Sequence, residues 1–205
     1  MIRIGLVADT HVPEAGPDLP SQAYAALAGC DRILHAGDLH ILDVVDRLEQ
    51  LAPVLVSRGN GDDPRTRPPG VPDDPRVADT FVVTAGELRI GLTHDLEHTE
   101  YLDDDEVAAL LARRFGERVD IAVCGHSHVP LVRGLADGTA IVNPGSPTLP
   151  YGYRGLVGTV GFIEVSDGGR FAVSVVDLAT GQPQLELAGP AVAALTRGPR
   201  PTGGR

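Results

Sequence analysis

The chain contains no lysine and no tryptophan, and its one methionine is residue 1. All 17 basic residues are therefore arginine. Without lysine there is no Schiff-base chemistry, no lysine general base and no P-loop, whose lysine reaches the nucleotide phosphates. Aromatic residues make up 4% of the sequence, and there are two cysteines, Cys30 and Cys124. Two cysteines this far apart make no disulfide framework, so a reducing, cytoplasmic compartment is the simpler expectation. No apolar run approaches the length of a membrane span. The first run, residues 2–8, is too short for a signal-peptide core and stops at Asp9. Positive charge is scarce as well: 28 acidic against 17 basic residues give −11. That balance disfavours a general nucleic-acid binder or an anionic-membrane binder, either of which needs a basic surface.

What is present suits a globular domain. With 205 residues and 42% apolar content the chain can bury one sizeable core and is short for two. A single domain over 1–188 is expected, followed by a flexible tail over 189–205, where periodicity fades and Gly, Pro and Arg dominate. The 25 glycines and 17 prolines imply many tight loops. Short branched runs predict strands over 2–8, at 33–34, over 54–57 and over 119–124. Helical spacing predicts helices over 21–29, 41–51 and from Asp103 to Phe115. The last has acid at its N-terminus, Arg113 and Arg114 at its end, and Gly116 as its stop. Hairpins are expected around Ala85-Gly86-Glu87, Asp137-Gly138 and Asp167-Gly168-Gly169. The stretch 62–75 holds five prolines and reads as a loop. Strand–helix alternation in the first half and hairpins in the second predict an α/β fold: two mixed sheets packed as a sandwich, flanked by helices.

One regularity concerns chemistry. The expected core strands end in Asp9 and His11, in Asp38, in Asn60, in His94, and in His126 and His128, mostly beside Gly-rich turns. In open α/β sheets the C-terminal strand ends face one crevice, where ligands bind. Carboxylate, imidazole and amide oxygen suit Mn, Fe, Co, Ni or Zn, and no thiolate biases the set toward structural zinc. Seven ligands with one shared carboxylate suit two divalent metal ions roughly 3.5–4 Å apart, an arrangement that generates a potent water-derived nucleophile near neutral pH. Two such ions bring four positive charges against two carboxylates. That positive spot on an acidic chain attracts a compact anion, such as a small phosphate ester, more than an extended polyanion.

These residues carry a resemblance. Asp9-Thr10-His11, Gly37-Asp38, Gly59-Asn60, His94, Gly125-His126-Ser127-His128 and Asn143-Pro144-Gly145-Ser146 resemble, in order and spacing, the calcineurin-like metallophosphoesterases, most of all the small YfcE-type phosphodiesterases. The likeness spans roughly residues 1–165. It implies that Asp9, His11 and His128 bind a first metal, that Asn60, His94 and His126 bind a second, and that Asp38 bridges them. Mn is the usual ion, with Ni, Fe, Co or Zn as alternatives. The implied activity is phosphodiester hydrolysis by metal-activated hydroxide, with Asp38, Asn60 and His94 as the catalytic set; phosphomonoester hydrolysis is the alternative. A non-catalytic interaction module, the use a retromer subunit makes of this fold, is the other class.

Three positions depart from the family pattern. Larger members carry a histidine directly after the Gly-Asn pair that can protonate the leaving group; Gly61 stands here, which favours a substrate with a good leaving group. Asp95 follows His94 where glycine is usual, and is expected to orient His94 or to narrow the pocket. Tyr151-Gly152-Tyr153-Arg154 follows Pro150 where Pro-Arg is usual, leaving Arg154 to reach a phosphate from a shifted position. His35 is expected to pack beneath the site, His40 to have no role, and Glu97 and His98 to lie in a solvated loop. The Asn143–Ser146 turn is expected to shape the floor. Tyr151 and Tyr153 are the expected contact of a homo-oligomer.

Overall fold

Along the first strand, β1 (Ile2–Val7), side chains alternate between two apolar environments. Ile4 and Leu6 face one core and Val7 the other. A strand buried on both faces needs apolar residues throughout and a layer on each side. The computed structural model, which describes residues 1–96 and 99–189, supplies both layers.

One sheet has seven strands in the order β12-β11-β10-β1-β2-β3-β4. Its parallel half comprises β1, β2 (Arg32–His35), β3 (Val54–Ser57) and β4 (Val77–Ala78). Its antiparallel half comprises β10 (Thr159–Val165), β11 (Phe171–Asp177) and β12 (Gln182–Gly189). The second sheet has five strands, β5 (Thr80–Ala85), β6 (Leu88–Thr93), β7 (Ile121–Val123), β9 (Ala140–Asn143) and β8 (Leu131–Gly134), in that order across the sheet. Here β6, β7 and β9 are parallel.

The sheets face each other across one core. Leu6, Leu34 and Ile163 from the first sheet meet Ile90, Ile121 and Val142 from the second. Helices α1 (Ser21–Leu27) and α2 (Asp43–Glu49) cover the outer face of the first sheet through Ala23, Leu27, Val44, Val45 and Leu48. Helix α3 (Asp104–Phe115) covers the second through Val107 and Leu111. The architecture is the expected sandwich of two mixed sheets between helices.

The local signals act as their chemistry requires. Asp103 and Glu106 form a reciprocal capping box at the start of α3, and Gly116 ends it at φ 70°. Three hairpins close where turn residues stand, joining β5 to β6, β8 to β9 and β10 to β11. Helices α1 and α2 are shorter than the expected 21–29 and 41–51, because their ends continue as turns. Strand β12 adds to the expected elements: it carries Pro183 and only Leu185 and Leu187 as large apolar residues, both packed against the central core. Gly189, expected to begin the tail, is its last residue; residues 190–205 lie outside the described part, as do Glu97 and His98. Both cysteines are buried and free. Among the described residues no helix is long and apolar enough to cross a membrane.

Candidate metal centre

Five parallel strands from two sheets, β1, β2, β3, β6 and β7, end at one rim, and the polar residues sit just past those ends. Asp9 and His11 follow β1, Asp38 and His40 follow β2, and Asn60 follows β3. His94 follows β6, and His126 and His128 follow β7. The backbone there is unusual. Asp9, His11, Asp38, His40, His126 and His128 all have φ between 46° and 72°, the left-handed region. Each such residue costs about 1–2 kcal/mol relative to right-handed backbone, and such outliers concentrate where a site over-determines them. The turns therefore throw alternate side chains inward.

Buried hydrogen bonds hold these turns. The Asp62 carboxylate accepts from the backbone N–H groups of Asp38 (2.8 Å), His40 (2.8 Å) and Gly59 (2.9 Å), tying the β2 turn to the β3 turn. The Asp38 carboxylate accepts from Gly61 N–H at 2.6 Å. Ser146 Oγ donates to the Asp9 carbonyl at 2.7 Å, and Thr148 Oγ1 to the Thr10 carbonyl at 2.7 Å. Asn143 Nδ2 donates to the Gly125 carbonyl at 2.7 Å. The Asn143–Ser146 turn thus shapes the floor, as expected. His35 is fully buried beneath; its Nδ1 accepts from Gly37 N–H and its Nε2 faces Thr10 Oγ1, both at 3.1 Å. A Cβ on Gly37 (φ 87°) would fall 2.6 Å from His94 Nδ1, so only glycine fits there.

All seven sequence-derived residues meet at this rim. His94 Nδ1 lies 2.6 Å from the Ala36 carbonyl, and His128 Nδ1 lies 2.9 Å from the Leu149 carbonyl. A carbonyl only accepts, so each Nδ1 carries a proton and each ring turns its Nε2 inward. His128 Nε2 is 3.2 Å from His11 Nε2 and 3.8 Å from an Asp9 oxygen. His94 Nε2 is 3.5 Å from Asp38, 3.1 Å from Asn60 Oδ1 and 3.2 Å from His126 Nδ1. His11 Nε2 is 3.6 Å from Asp38. The His126 backbone N–H donates to the Asp9 carboxylate at 2.9 Å.

The electrostatics follow from burial. Burial first, and the Asp38 charge second, push Asp9 well above the usual carboxylate range, against the hydrogen bond from His126. Burial takes His11 down to about 4 despite the opposing pull of Asp38, and lowers His128 as well. Carboxylates, imidazole nitrogens and an amide oxygen crowd together here, an arrangement that a cation relieves. Three trios bring donor atoms within 4.8 Å of one another: Asp9–His11–His128, Asp9–Asp38–His94 and His11–Asp38–His40. The donor set fits a divalent metal of the nitrogen- and oxygen-seeking kind. His126 lies outside these trios; it and Asn60 touch the cluster through each other and His94.

Some expectations change. The Ala36 carbonyl accepts from His94 Nδ1, and the other ring nitrogen faces the cluster; Asp95 lines the cleft beside Asn60 and His94, the second of its two expected roles. That cleft also presents Arg58, Arg65 and Arg114, which sequence reasoning passed over. Arg58 adjoins Gly59-Asn60, and that adjacency was the available signal. Its guanidinium donates to the carbonyls of Asp62 and Val71, fastening the Pro-rich loop. Arg154 is exposed, away from that lining. His40, given no role from sequence, packs edge-on against His11 with ring centroids 4.4 Å apart.

Comparison with known proteins agrees with this picture. Residues 2–168 match the family model of the calcineurin-like phosphoesterase superfamily domain. A probable metallophosphoesterase of Methanothermobacter thermautotrophicus is 35% identical over 147 residues, covering 72% of this chain and 78% of the relative. A probable metallophosphoesterase of Methanocaldococcus jannaschii is 30% identical over 148 residues, covering 72% and 69%. Among solved structures, Vacuolar Protein Sorting 29 from Cryptosporidium parvum superposes with a TM-score of 0.71 over 91% of this chain and 98% of that chain; at 24% identity this is a likeness of fold. The chain belongs to the calcineurin-like phosphoesterase superfamily.

Proposed function

We propose that the protein is a phosphodiesterase with a dinuclear centre, taking a small phosphodiester with a good leaving group. The observation that carries this reading is the convergence of Asp9, His11, Asp38, Asn60, His94, His126 and His128, from both sheets, with acceptor atoms turned toward one another. Asp9, His11 and His128 would hold a first cation, Asn60, His94 and His126 a second, and Asp38 both. Mn is the first expectation, with Ni, Fe, Co or Zn as alternatives. Bound cations supply Lewis acidity and lower the pKa of water at the site.

The chain's own residues do the positioning. The carbonyls of Ala36 and Leu149 fix the rings of His94 and His128, so no reorganisation is needed when substrate arrives. Asn60 and His94 border the cleft in which the phosphoryl group would sit, where they hold charge as it develops. Gly61 offers no proton to the departing oxygen, which favours an ester of an acidic alcohol. Purified protein should cleave an aryl phosphodiester when Mn²⁺ is supplied, and Asp38→Ala or His126→Ala should abolish the metal-stimulated rate. Undiminished cleavage by either variant overturns the reading.

The second reading, a docking module, draws on Tyr151, Tyr153 and Leu156, which are 57%, 67% and 56% exposed next to the His128 turn. The same strip is where a second copy of the chain would dock. Elemental analysis separates the classes: folded protein that takes up no metal favours the docking module.

A further inference from the structure

Resting on the metal reading above, we propose that His40 is an additional ligand of the cluster, joining the first cation position through Nε2. Three observations meet on this side chain. The first is proximity. The donor atoms of His11, Asp38 and His40 lie within 4.8 Å of one another, the limit also met by the two trios drawn wholly from the sequence-derived set. Bringing ligand atoms about 2.0–2.2 Å from a shared ion asks only for a small inward adjustment.

The second is orientation. His40 is 8% exposed, and its Nδ1 lies 2.7 Å from Glu14 Oε2. The carboxylate accepts from Nδ1, which leaves Nε2 as the ring nitrogen turned toward the cluster. A carboxylate behind an imidazole is the usual support of a metal-ligating histidine, fixing both tautomer and ring plane. Arg67 in turn pairs with Glu14, so the support is itself held.

The third is room. A Cβ on Gly61 would fall 2.5 Å from His40 Nε2 and 3.1 Å from Asp38 Oδ1. The imidazole nitrogen and the central carboxylate thus flank the spot that a side chain after Asn60 would fill. Gly61 admits the His40 ring to the cluster. The turn cooperates: His40 shares the left-handed backbone of the neighbouring site residues, and Asp62 holds its N–H.

The test uses the metal-stripped full-length chain titrated with Mn²⁺ by calorimetry, with pulsed EPR reading the nitrogen nuclei coupled to the ion. His40→Ala should weaken one equivalent of Mn²⁺ by 10–100-fold and remove one coupled nitrogen. Glu14→Ala, which leaves the imidazole in place, should cost about tenfold. Glu14→Gln, which keeps an acceptor without the charge, should cost less. These two variants carry the test if His40→Ala does not fold. If His40→Ala and Glu14→Ala bind Mn²⁺ like the parent while His11→Ala loses an equivalent, His40 is a packing residue and the metal reading stands. If His11→Ala also binds like the parent, both readings fall.

Discussion

Replacing Asp62 by alanine tests how the rim is held in shape. The side chain is fully buried, and its two oxygens accept three backbone N–H groups, from Asp38, His40 and Gly59. Removing the carboxylate strands three donors. A buried donor left without a partner costs about 1–3 kcal/mol, which bounds the loss at roughly 3–9 kcal/mol. Two effects reduce it. The space left by the carboxylate is polar and can take a water that satisfies part of the set. Burial also holds the Asp62 carboxyl above its usual range, so some of the cost of burying the charge is recovered when it goes. The expected net loss is about 3–4 kcal/mol, in the range of a broken buried network. Asp62→Asn should cost less, since one amide oxygen can still serve Asp38 and Gly59 while the NH₂ group faces the His40 N–H. Urea unfolding of the metal-free protein at pH 7 measures both, read as a fall in midpoint at constant slope. Because Asp62 places the turns of Asp38 and His40, Mn²⁺ affinity should fall with stability. A loss below about 0.5 kcal/mol for Asp62→Ala, the scale of an ordinary surface change, would refute the reasoning.

Two further predictions concern pH and a helix cap. His35 is fully buried, and burial above all takes its pKa down to about 3, so the folded state stays unprotonated where the unfolded chain already binds a proton near 6.5. Its contribution is intact above 6.5 and lost as pH falls toward 3; between pH 7 and 5 it amounts to about 2 kcal/mol. Metal-free His35→Gln should therefore show a pH 7-to-5 stability loss smaller by that amount, and an unchanged loss counts against the burial argument. Asp103→Ala breaks the reciprocal cap of α3 and should cost about 1 kcal/mol in thermal or urea unfolding. Since the first turn of α3 is tied through Asp104 to Arg133 and Ala136 at the β8–β9 hairpin, Mn²⁺ affinity should not move in that variant; a change there would show that the helix shapes the cluster.

Much of this was readable in the sequence for one reason: buried parallel strands announce themselves as short branched runs, and whatever polar residue ends such a run must lie at the sheet's C-terminal edge. The residues just past β1, β2, β3, β6 and β7 were named that way. Turn chemistry was local enough to read as well, as in Asp137-Gly138 and the Asp103–Glu106 box. What escaped depended on contacts between distant parts of the chain. The ring of His40 is set by Glu14, on another turn, and admitted by Gly61 on a third, so nothing near residue 40 signals a role. His94 borrows the Ala36 carbonyl, a backbone group that leaves no mark in a sequence. The left-handed backbone at Asp9, His11 and Asp38 runs against the usual glycine rule, and propensity alone would not place it there. Strand β12 gains its pairing from β11 rather than from its own pattern.

The split of the rim between the two sheets has a mechanical consequence. Asp9, His11, Asp38 and Asn60 ride on the seven-stranded layer, whereas His94, His126 and His128 ride on the five-stranded one. Elsewhere the layers adhere through non-directional oily contact, which tolerates a slight slide. Ions seated at the seam would act as rivets, penalising any shear of one layer over the other by the full strength of several coordinate bonds. Loading the centre would thus make a pair of slabs behave as one block.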